Sequence, residues 1–229
     1  MITLAFDTCL DACSVALFEG AEGKLLAARH ELMSRGQAEA LFPLIDETVK
    51  EAGLTPADIQ QIAVTCGPGT FTGVRIGVAA ARGLAIASNL PVIGLTSLQA
   101  IAICAIAADA PAGPVAALID ARRGELYVAS YDANGVELNK PQAVAVDDAH
   151  AALPAGKVLL AGSGAKLLAD RSEDWVPSSA PELPVASCWG VAAAGMAPGA
   201  EPPLPLYLRA PDAKPPAPGS QIQRSVEQG

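Results

Sequence analysis

The chain has 229 residues, of which 51% are hydrophobic, 17% are charged and only 4% are aromatic, a composition typical of a globular protein. The formal net charge of −9 argues against an independent nucleic-acid binder, because such proteins use Lys and Arg to displace counterions from phosphates. No basic leader precedes the first apolar run, and no window of about 20 residues is apolar enough to span a bilayer, so we expect a cytoplasmic protein with no membrane segment.

Short apolar runs separated by turn residues predict three strands at the start of the chain, and the first, ITLAFDT, ends at Asp7. The segment QAEALFPLIDETVKEAG then has apolar residues at helical spacing, with Pro43 placed in the first turn and Gly53 as the C-terminal cap. A fourth strand, IQQIAVTC, leads through a glycine-rich loop into a second helix, TGVRIGVAAARGLAIASN. The strand LPVIGL follows, and Thr96 or Ser97 is expected to cap the next helix.

The second part of the chain repeats this order. The run GPVAALIDARRG ends at Asp120 as the first strand ends at Asp7, a hairpin turn follows at Asn134-Gly135, and KVLLAGSGAKLLA predicts a strand, a glycine turn and a helix. The repeat predicts two α/β halves, residues 1–100 and 101–209, rather than one doubly wound sheet. Residues 210–229 are rich in Pro, Gly and Gln and lack apolar periodicity, which predicts a flexible tail.

The stretch CGPGTFTGVRIG, residues 66–77, has the composition of a phosphate loop, but the known nucleotide motifs do not fit it. No lysine follows its glycines, as a Walker A loop requires, and the spacing G-x-G-x-x-x-G is one residue too long for a dinucleotide fingerprint. One interpretation is that backbone N–H groups at the start of the following helix hold an anion or a nucleotide phosphate. The candidate contacts are Asp7, Thr8, Gly69, Thr70 and Thr72.

The other interpretation of the glycines is close helix packing. Gly73, Gly77, Ala80, Leu84 and Ala87 fall on one stripe at intervals of three and four residues. A helical Gly costs about 1 kcal/mol of helix stability relative to Ala. Gly73, Gly77 and Gly83 together therefore cost roughly 3 kcal/mol, which close packing of a second helix would offset. That second helix is either the chain's own first helix or one from a partner, and we favour the partner.

Candidate catalytic groups are few. Asp7 and Asp120 could be catalytic carboxylates, although an Asp after a strand more often opens a turn. His30 and His150 have no partner at a recognisable spacing, and neither an H-E-x-x-H zinc motif nor a nucleophile elbow is present. We therefore expect no catalytic residue and no metal site. An odd number of cysteines without a C-x-x-C pair predicts reduced thiols. They are Cys9, Cys13, Cys66, Cys104 and Cys188.

Several motifs resemble those of the bacterial TsaB family, also called YeaZ. In chain order they are ITLAFDT, CGPGTFTGVRIG, TSL, ALIDARRGELYVASY and PLYLR, and the similarity covers about residues 1–209. The resemblance implies an α/β fold of the actin-like (ASKHA) ATPase class, built from two tandem ribonuclease-H-like halves. One departure is Gln37, which stands where many relatives have a histidine. The two helical histidines that bind metal in the related subunit TsaD are both missing.

The resemblance implies a required, non-catalytic partner of TsaD in forming N6-threonylcarbamoyladenosine at adenosine 37 of tRNAs that read ANN codons. It implies a heterodimer with TsaD, contact with TsaE and tRNA through that complex, and a homodimer when TsaD is missing. It also implies no cofactor of the chain's own, with any bound ATP at the partner interface. The alternatives are an active nucleotide-binding phosphotransferase of the same fold and, from an old family label, a peptidase.

The contact surface implied by the resemblance consists of the two helices of the first half, Gln37 to Ala52 and Thr72 to Ser88. The residues predicted to form it are Leu41, Leu44, Ile45, Gly73, Val74, Gly77, Ala80, Ala81 and Leu84.

Overall fold

The computed structural model describes residues 1–199 and 201–209, so the predicted tail, residues 210–229, lies outside the described residues. In the described part, ten strands form two five-stranded sheets. The strands are β1 (Ile2–Asp7), β2 (Ala12–Glu19), β3 (Lys24–Leu32), β4 (Gln61–Thr65), β5 (Val92–Leu95), β6 (Val115–Asp120), β7 (Glu125–Tyr131), β8 (Glu137–Ala145), β9 (Val158–Ala161) and β10 (Trp175–Pro177).

The two sheets have the same topology. The first has the order β3-β2-β1-β4-β5, and the second has the matching order β8-β7-β6-β9-β10. In each sheet the first three strands along the chain pair antiparallel, and the last two run parallel to the first. The predicted α/β fold with two repeated halves is therefore confirmed.

The helices differ between the halves. In the first half, α1 (Gln37–Glu51) joins β3 to β4, and α2 (Phe71–Ser88) joins β4 to β5. In the second half the corresponding places hold the four-residue α4 (Ala149–Ala152) and two single 3₁₀ turns, Ala165–Leu167 and Ala169–Arg171. The prediction of a helix within KVLLAGSGAKLLA is therefore wrong. A long helix pair is present in the first half of the described chain and missing from the second.

Local signals fix most helix ends. Thr96 caps α3 (Ser97–Asp109), because its side chain accepts a hydrogen bond of 2.9 Å from the Gln99 N–H. Gly53 follows α1 in the left-handed conformation, with a φ of +70°, as the C-terminal signal predicts. Pro43 is a correction, since α1 begins at Gln37 and the proline lies in its second turn.

One helix follows each sheet in the chain, and these two helices pack on each other beside the first sheet. α3 leads from β5 into the second sheet, and α5 (Ala186–Ala194) returns after β10 to pack on β1 and β2. There Trp189 is fully buried in an apolar cluster with Ala5, Ala16 and Phe18. The predicted boundary at residue 100 falls inside α3 and stays a prediction. No helix of residues 1–199 and 201–209 is long and apolar enough to cross a membrane.

Candidate functional site: the glycine loop, the cleft and the helix groove

The glycine-rich loop packs directly onto the end of β1. The Thr70 N–H donates a hydrogen bond of 2.7 Å to the Cys9 carbonyl, and the Thr70 hydroxyl accepts one of 3.1 Å from the Gly73 N–H. A Cβ at Gly69 would lie 2.2 Å from the Cys9 carbonyl oxygen, and one at Gly73 would lie 2.1 Å from that of Thr8. These two glycines are therefore required by the close approach of the chain's own backbone.

The same contact decides the role of the glycine stripe on α2. Gly73 and Gly77 are buried, and a Cβ at Gly77 would lie 2.8 Å from the Thr8 hydroxyl oxygen. The preferred interpretation, a partner helix against these glycines, is therefore wrong for both positions, and so is packing on α1. Gly73 and Gly77 face the end of β1, because the loop folds the start of α2 back onto that strand.

Most of the predicted interface residues are buried within the single chain. The buried set consists of Leu41, Leu44, Ile45, Gly73, Val74, Gly77, Ala80 and Ala81. Leu84 is half-buried. This corrects the choice of Gly73, Val74 and Gly77, which pack against the end of β1 and in the core of the chain. Leu41, Ala80 and Leu84, by contrast, also line a groove between α1 and α2. The use of the helix pair as a contact surface stays a prediction.

The outer side of the helix pair is also apolar. A shallow groove of about 400 Å³ runs between α1 and α2, and we call it the helix groove. Phe42, at its edge, leaves 52% of its surface exposed, and α2 lines the groove from Ile76 to Gly83. The full lining is Ala38, Leu41, Phe42, Ile76, Ala79, Ala80, Gly83 and Leu84. Sequence reasoning missed the exposed members, although Phe42 and Ile76 stand out as large apolar residues beside small ones.

A second concave region, here called the cleft, has a volume of about 490 Å³ and lies between the ends of β1 and β6. Its charged side chains pair with one another across the halves. The Arg122 guanidinium lies 3.8 Å from the Asp11 carboxylate and 3.6 Å from that of Asp120. Lys166 lies 3.4 Å from Glu182. The cleft is therefore of mixed charge, which differs from the concentrated positive charge that a polyphosphate needs.

Asp7 lies outside the lining of the cleft. Its side chain is fully buried and accepts a hydrogen bond from the Thr65 hydroxyl. Burial raises the pKa of Asp7 to about 6, against the opposing effect of hydrogen bonds from Thr65 and Cys9. Asp120, by contrast, lines the cleft, and its carboxylate accepts a hydrogen bond of 2.8 Å from the Arg122 N–H. The two strand-end aspartates are thus not brought together as a pair facing the cleft.

Of the five candidate anion contacts, two line the cleft and three do not. Gly69 and Thr70 line the cleft, whereas the Thr8 hydroxyl is buried and donates a hydrogen bond of 2.7 Å to the Gly73 carbonyl. Thr72 is exposed on α2 and does not line the cleft. Because the Thr70 and Gly73 N–H groups already have partners within the loop, fewer donors face a ligand. Anion binding here stays a prediction. Among the described residues, no group of three or more His, Cys, Asp and Glu side chains is placed to hold a metal ion.

A segment near the C-terminus, residues 201–209, crosses over the glycine loop and is called the strap here. The Leu206 N–H donates a hydrogen bond of 2.7 Å to the Cys66 carbonyl. At the start of α2, the Arg75 guanidinium stacks 3.6 Å above the Phe71 ring and donates a hydrogen bond of 3.0 Å to the Tyr207 hydroxyl. The strap therefore holds the N-terminal end of α2 in place, beside the exposed face of the helix pair.

Comparison with known proteins places this geometry in a family. The crystal structure named YeaZ from Pseudomonas aeruginosa superposes with a TM-score of 0.73 at 32% sequence identity, covering 90% of this chain and 99% of that one. The chain belongs to the TsaB/YeaZ family. Residues 30–170 also match the family model described as TsaD, tRNA N6-adenosine threonylcarbamoyltransferase.

Two curated relatives are similar to this chain, and one of them carries the TsaB name. The tRNA threonylcarbamoyladenosine biosynthesis protein TsaB of Escherichia coli is 41% identical over 59% of this chain, and the match spans 58% of the length of that relative. An uncharacterized protein of Mycobacterium tuberculosis is 36% identical over 93% of both chains. The TsaB/YeaZ resemblance drawn from the sequence motifs is thereby confirmed.

Proposed function

We propose that this TsaB/YeaZ chain is a required, non-catalytic partner in forming N6-threonylcarbamoyladenosine on tRNA, and that it binds TsaD through the helix groove. Relatives named for threonylcarbamoyladenosine biosynthesis support the process. The partner, the surface and the lack of catalysis are our own inferences. In this proposal the chain is cytoplasmic, meets TsaE and tRNA within the complex, and pairs with itself through the same groove when TsaD is missing.

The helix groove is the observation that carries the proposal. It is an apolar surface formed by small residues beside the exposed Phe42, and it lies on the one long helix pair of the described chain. Exposed apolar surface of this kind is typical of protein–protein contacts, because association removes it from water. The small residues Ala79 and Gly83 allow the backbone of a partner helix to approach closely.

The cleft supports the non-catalytic part of the proposal. A phosphotransferase of this fold would need the two strand-end carboxylates to face the ligand together, whereas Asp7 is buried and, of that pair, Asp120 alone lines the cleft. The other carboxylates of the cleft, Asp11 and Glu182, are paired with Arg122 and Lys166. The cations that line the cleft, Arg122, Lys166 and Arg209, each pair with a carboxylate. We propose that the chain has no cofactor of its own, and that any ATP in the complex binds at the interface with the partner.

Reconstitution tests the function. The test mixture contains TsaD, TsaE and TsaC, the last being the enzyme that the family resemblance implies makes the threonylcarbamoyl-adenylate. Added to this mixture with ATP, threonine, bicarbonate and unmodified tRNA, the purified chain should restore modified adenosine, measured by mass spectrometry of digested tRNA. The same mixture without the chain should give none above background, and the chain by itself should not hydrolyse ATP. ATP hydrolysis by the rigorously purified chain, reduced in Asp120→Asn, would instead favour the phosphotransferase.

A charge placed in the helix groove tests the surface. Gly83 lies in the groove, and beyond its chain neighbours and the adjacent backbone of α2 no atom of the described residues lies within 4 Å of the position its Cβ would take. Gly83→Glu should therefore leave the fold intact, and it should weaken TsaD binding at least tenfold, because the carboxylate would lose water in an apolar contact. Isothermal titration calorimetry measures the binding, and sedimentation measures self-association, which should also be lost.

The matched control is Ala107→Glu, which adds the same charge at an exposed position on α3, outside the helix pair. It should bind TsaD as the parent does. If Gly83→Glu and Ala107→Glu both bind like the parent, the helix groove is not the contact surface. If both variants also restore tRNA modification, the helix groove is wrong as the contact surface, but the proposed role in threonylcarbamoyladenosine formation is supported.

A further inference from the structure

Two cysteines from different helices meet beneath the first sheet. Cys104 lies on α3 and Cys188 on α5, and both belong to the apolar cluster between these helices and the sheet. The Cys104 sulfur contacts the backbone at Val185 and Trp189, on either side of Cys188, and its thiol donates a hydrogen bond to the Cys188 sulfur. The two thiols therefore interact where α3 packs on α5.

The two sulfurs are not equivalent. The hydrogen bond from Cys104 lowers the pKa of Cys188 against the opposing effect of burial, and the same bond raises the pKa of Cys104. Cys188 is also the more accessible, since it is only partly buried whereas Cys104 is buried. A thiolate reacts with oxidants far faster than a thiol does, so attack is expected to begin at Cys188.

The remaining cysteines, all within the described residues, lack this combination. Cys9, Cys13 and Cys66 are buried. Burial raises the pKa of Cys13 and of Cys66 to about 12 and also raises that of Cys9. These three thiols are therefore protected by protonation as well as by the lack of access.

We propose that Cys188 and Cys104 form an oxidisable thiol pair, which hydrogen peroxide converts into a disulfide joining α5 to α3. In the first step the Cys188 thiolate attacks one peroxide oxygen and the O–O bond breaks. The sulfur becomes a sulfenic acid, and the released hydroxide takes up the proton that Cys188 lost. In the second step the Cys104 sulfur attacks the sulfenic sulfur, the S–O bond breaks, and the hydroxyl leaves as water with the Cys104 proton. One peroxide is reduced to two waters for each pair of thiols oxidised.

The disulfide would fix the position of α5. This helix follows the second sheet in the chain but packs on β1 and β2 of the first, and α3 is the connection between the sheets. A crosslink between them closes a long loop of the chain, and long loops give a large stabilisation in the chain-entropy model. The oxidised protein should therefore be more resistant to unfolding than the reduced one.

The test treats the purified full-length chain with hydrogen peroxide, blocks free thiols and maps peptides by mass spectrometry without reduction. We expect a single Cys104–Cys188 crosslink and a melting temperature higher by about 5 °C or more, reversed by dithiothreitol. Cys104→Ser should give no crosslink and should accumulate a sulfenic acid on Cys188 that dimedone traps. Cys188→Ser should give neither product.

Cys13→Ala is the matched control, since it removes a buried thiol on β2 and should form the crosslink as the parent does. Circular dichroism confirms that each variant is folded before treatment. Five unmodified thiols after treatment of the parent, a crosslink between any other pair, or equal oxidation of the parent and Cys188→Ser would each overturn the proposal.

Discussion

Gly73→Ala should lower the free energy of unfolding of the isolated chain by about 3 kcal/mol, although alanine favours helix more than glycine does. The added methyl group would lie 2.1 Å from the Thr8 carbonyl oxygen and 2.7 Å from the Thr70 hydroxyl oxygen. The first of these is a backbone atom at the end of a central strand, so relief requires α2 or β1 to move. The melting temperature should fall by about 6–12 °C, measured by circular dichroism in dilute solution.

The matched substitution in the same helix is Gly83→Ala, for which we expect the opposite sign. The position is exposed and open, so the variant gains the helix propensity of alanine, worth up to about 1 kcal/mol, without a clash. If α2 did not pack on the end of β1, alanine would change the stability in the same direction at Gly73 and at Gly83. Equal stability of Gly73→Ala and the parent would therefore contradict the packing of α2 on the end of β1.

Asp7 should make the chain less stable as the pH rises from about 4 to about 6. Its pKa is about 6 in the folded chain, above the ordinary value of 3.8 for an aspartate side chain, so the folded state holds the proton more tightly than the unfolded state does. The stabilisation is complete below the unfolded pKa and is lost as the pH passes the folded one. A shift of about 2 units corresponds to about 3 kcal/mol.

Asp7→Asn should remove this dependence, because the amide does not titrate. Urea unfolding at pH 4, 5, 6 and 7 measures the difference in free energy between Asp7→Asn and the parent, which should change by about 2.5 kcal/mol in favour of the variant across that range. The difference between the two proteins is needed because the hydrogen-bonded carboxylates Asp58, Asp109 and Asp132, whose pKa values are lowered, act in the opposite direction.

Thr65→Val supplies the control for the environment of Asp7. The Thr65 hydroxyl donates to the Asp7 carboxylate and lowers its pKa, so its removal should move the transition to higher pH. Parallel stability curves for the parent and Asp7→Asn would show that Asp7 is ionised at the same pH in the folded and unfolded chain. The buried position described above would then be wrong.

The succession of strands along the chain could be predicted, because it depends on local signals. Alternating and continuous apolar runs, the Asn134-Gly135 turn and the two strand-end aspartates identified both halves, and the repeated sheet order confirms them. The helix predicted after β9 failed because tertiary contacts decide there. The Gly164 N–H donates to the Leu118 carbonyl, and a Cβ at Gly162 would lie 2.3 Å from that carbonyl oxygen. The segment is thereby held against β6, which no helical periodicity reveals.

The choice of site residues failed for a different physical reason. α2 is apolar on two faces, so its periodicity identifies a stripe but not the surface that the stripe meets. The glycines at 73 and 77 were interpreted as an approach to another helix, whereas they allow the approach of the Thr8 carbonyl and hydroxyl oxygens. Only the three-dimensional position of the glycine loop distinguishes these, and it places Gly83 and Phe42 on the outer face instead.

The return of α5 to the first sheet has a consequence for how the chain is made. The strands of that sheet are complete by residue 95, but the face formed by Ala5, Ala16 and Phe18 waits for Trp189 and its helix. At ribosomal rates, the roughly 100 residues between them take about 5–20 s to synthesise. Throughout that interval the nascent first half carries an uncovered apolar face. The first sheet is therefore expected to complete its packing only after α5 has been synthesised.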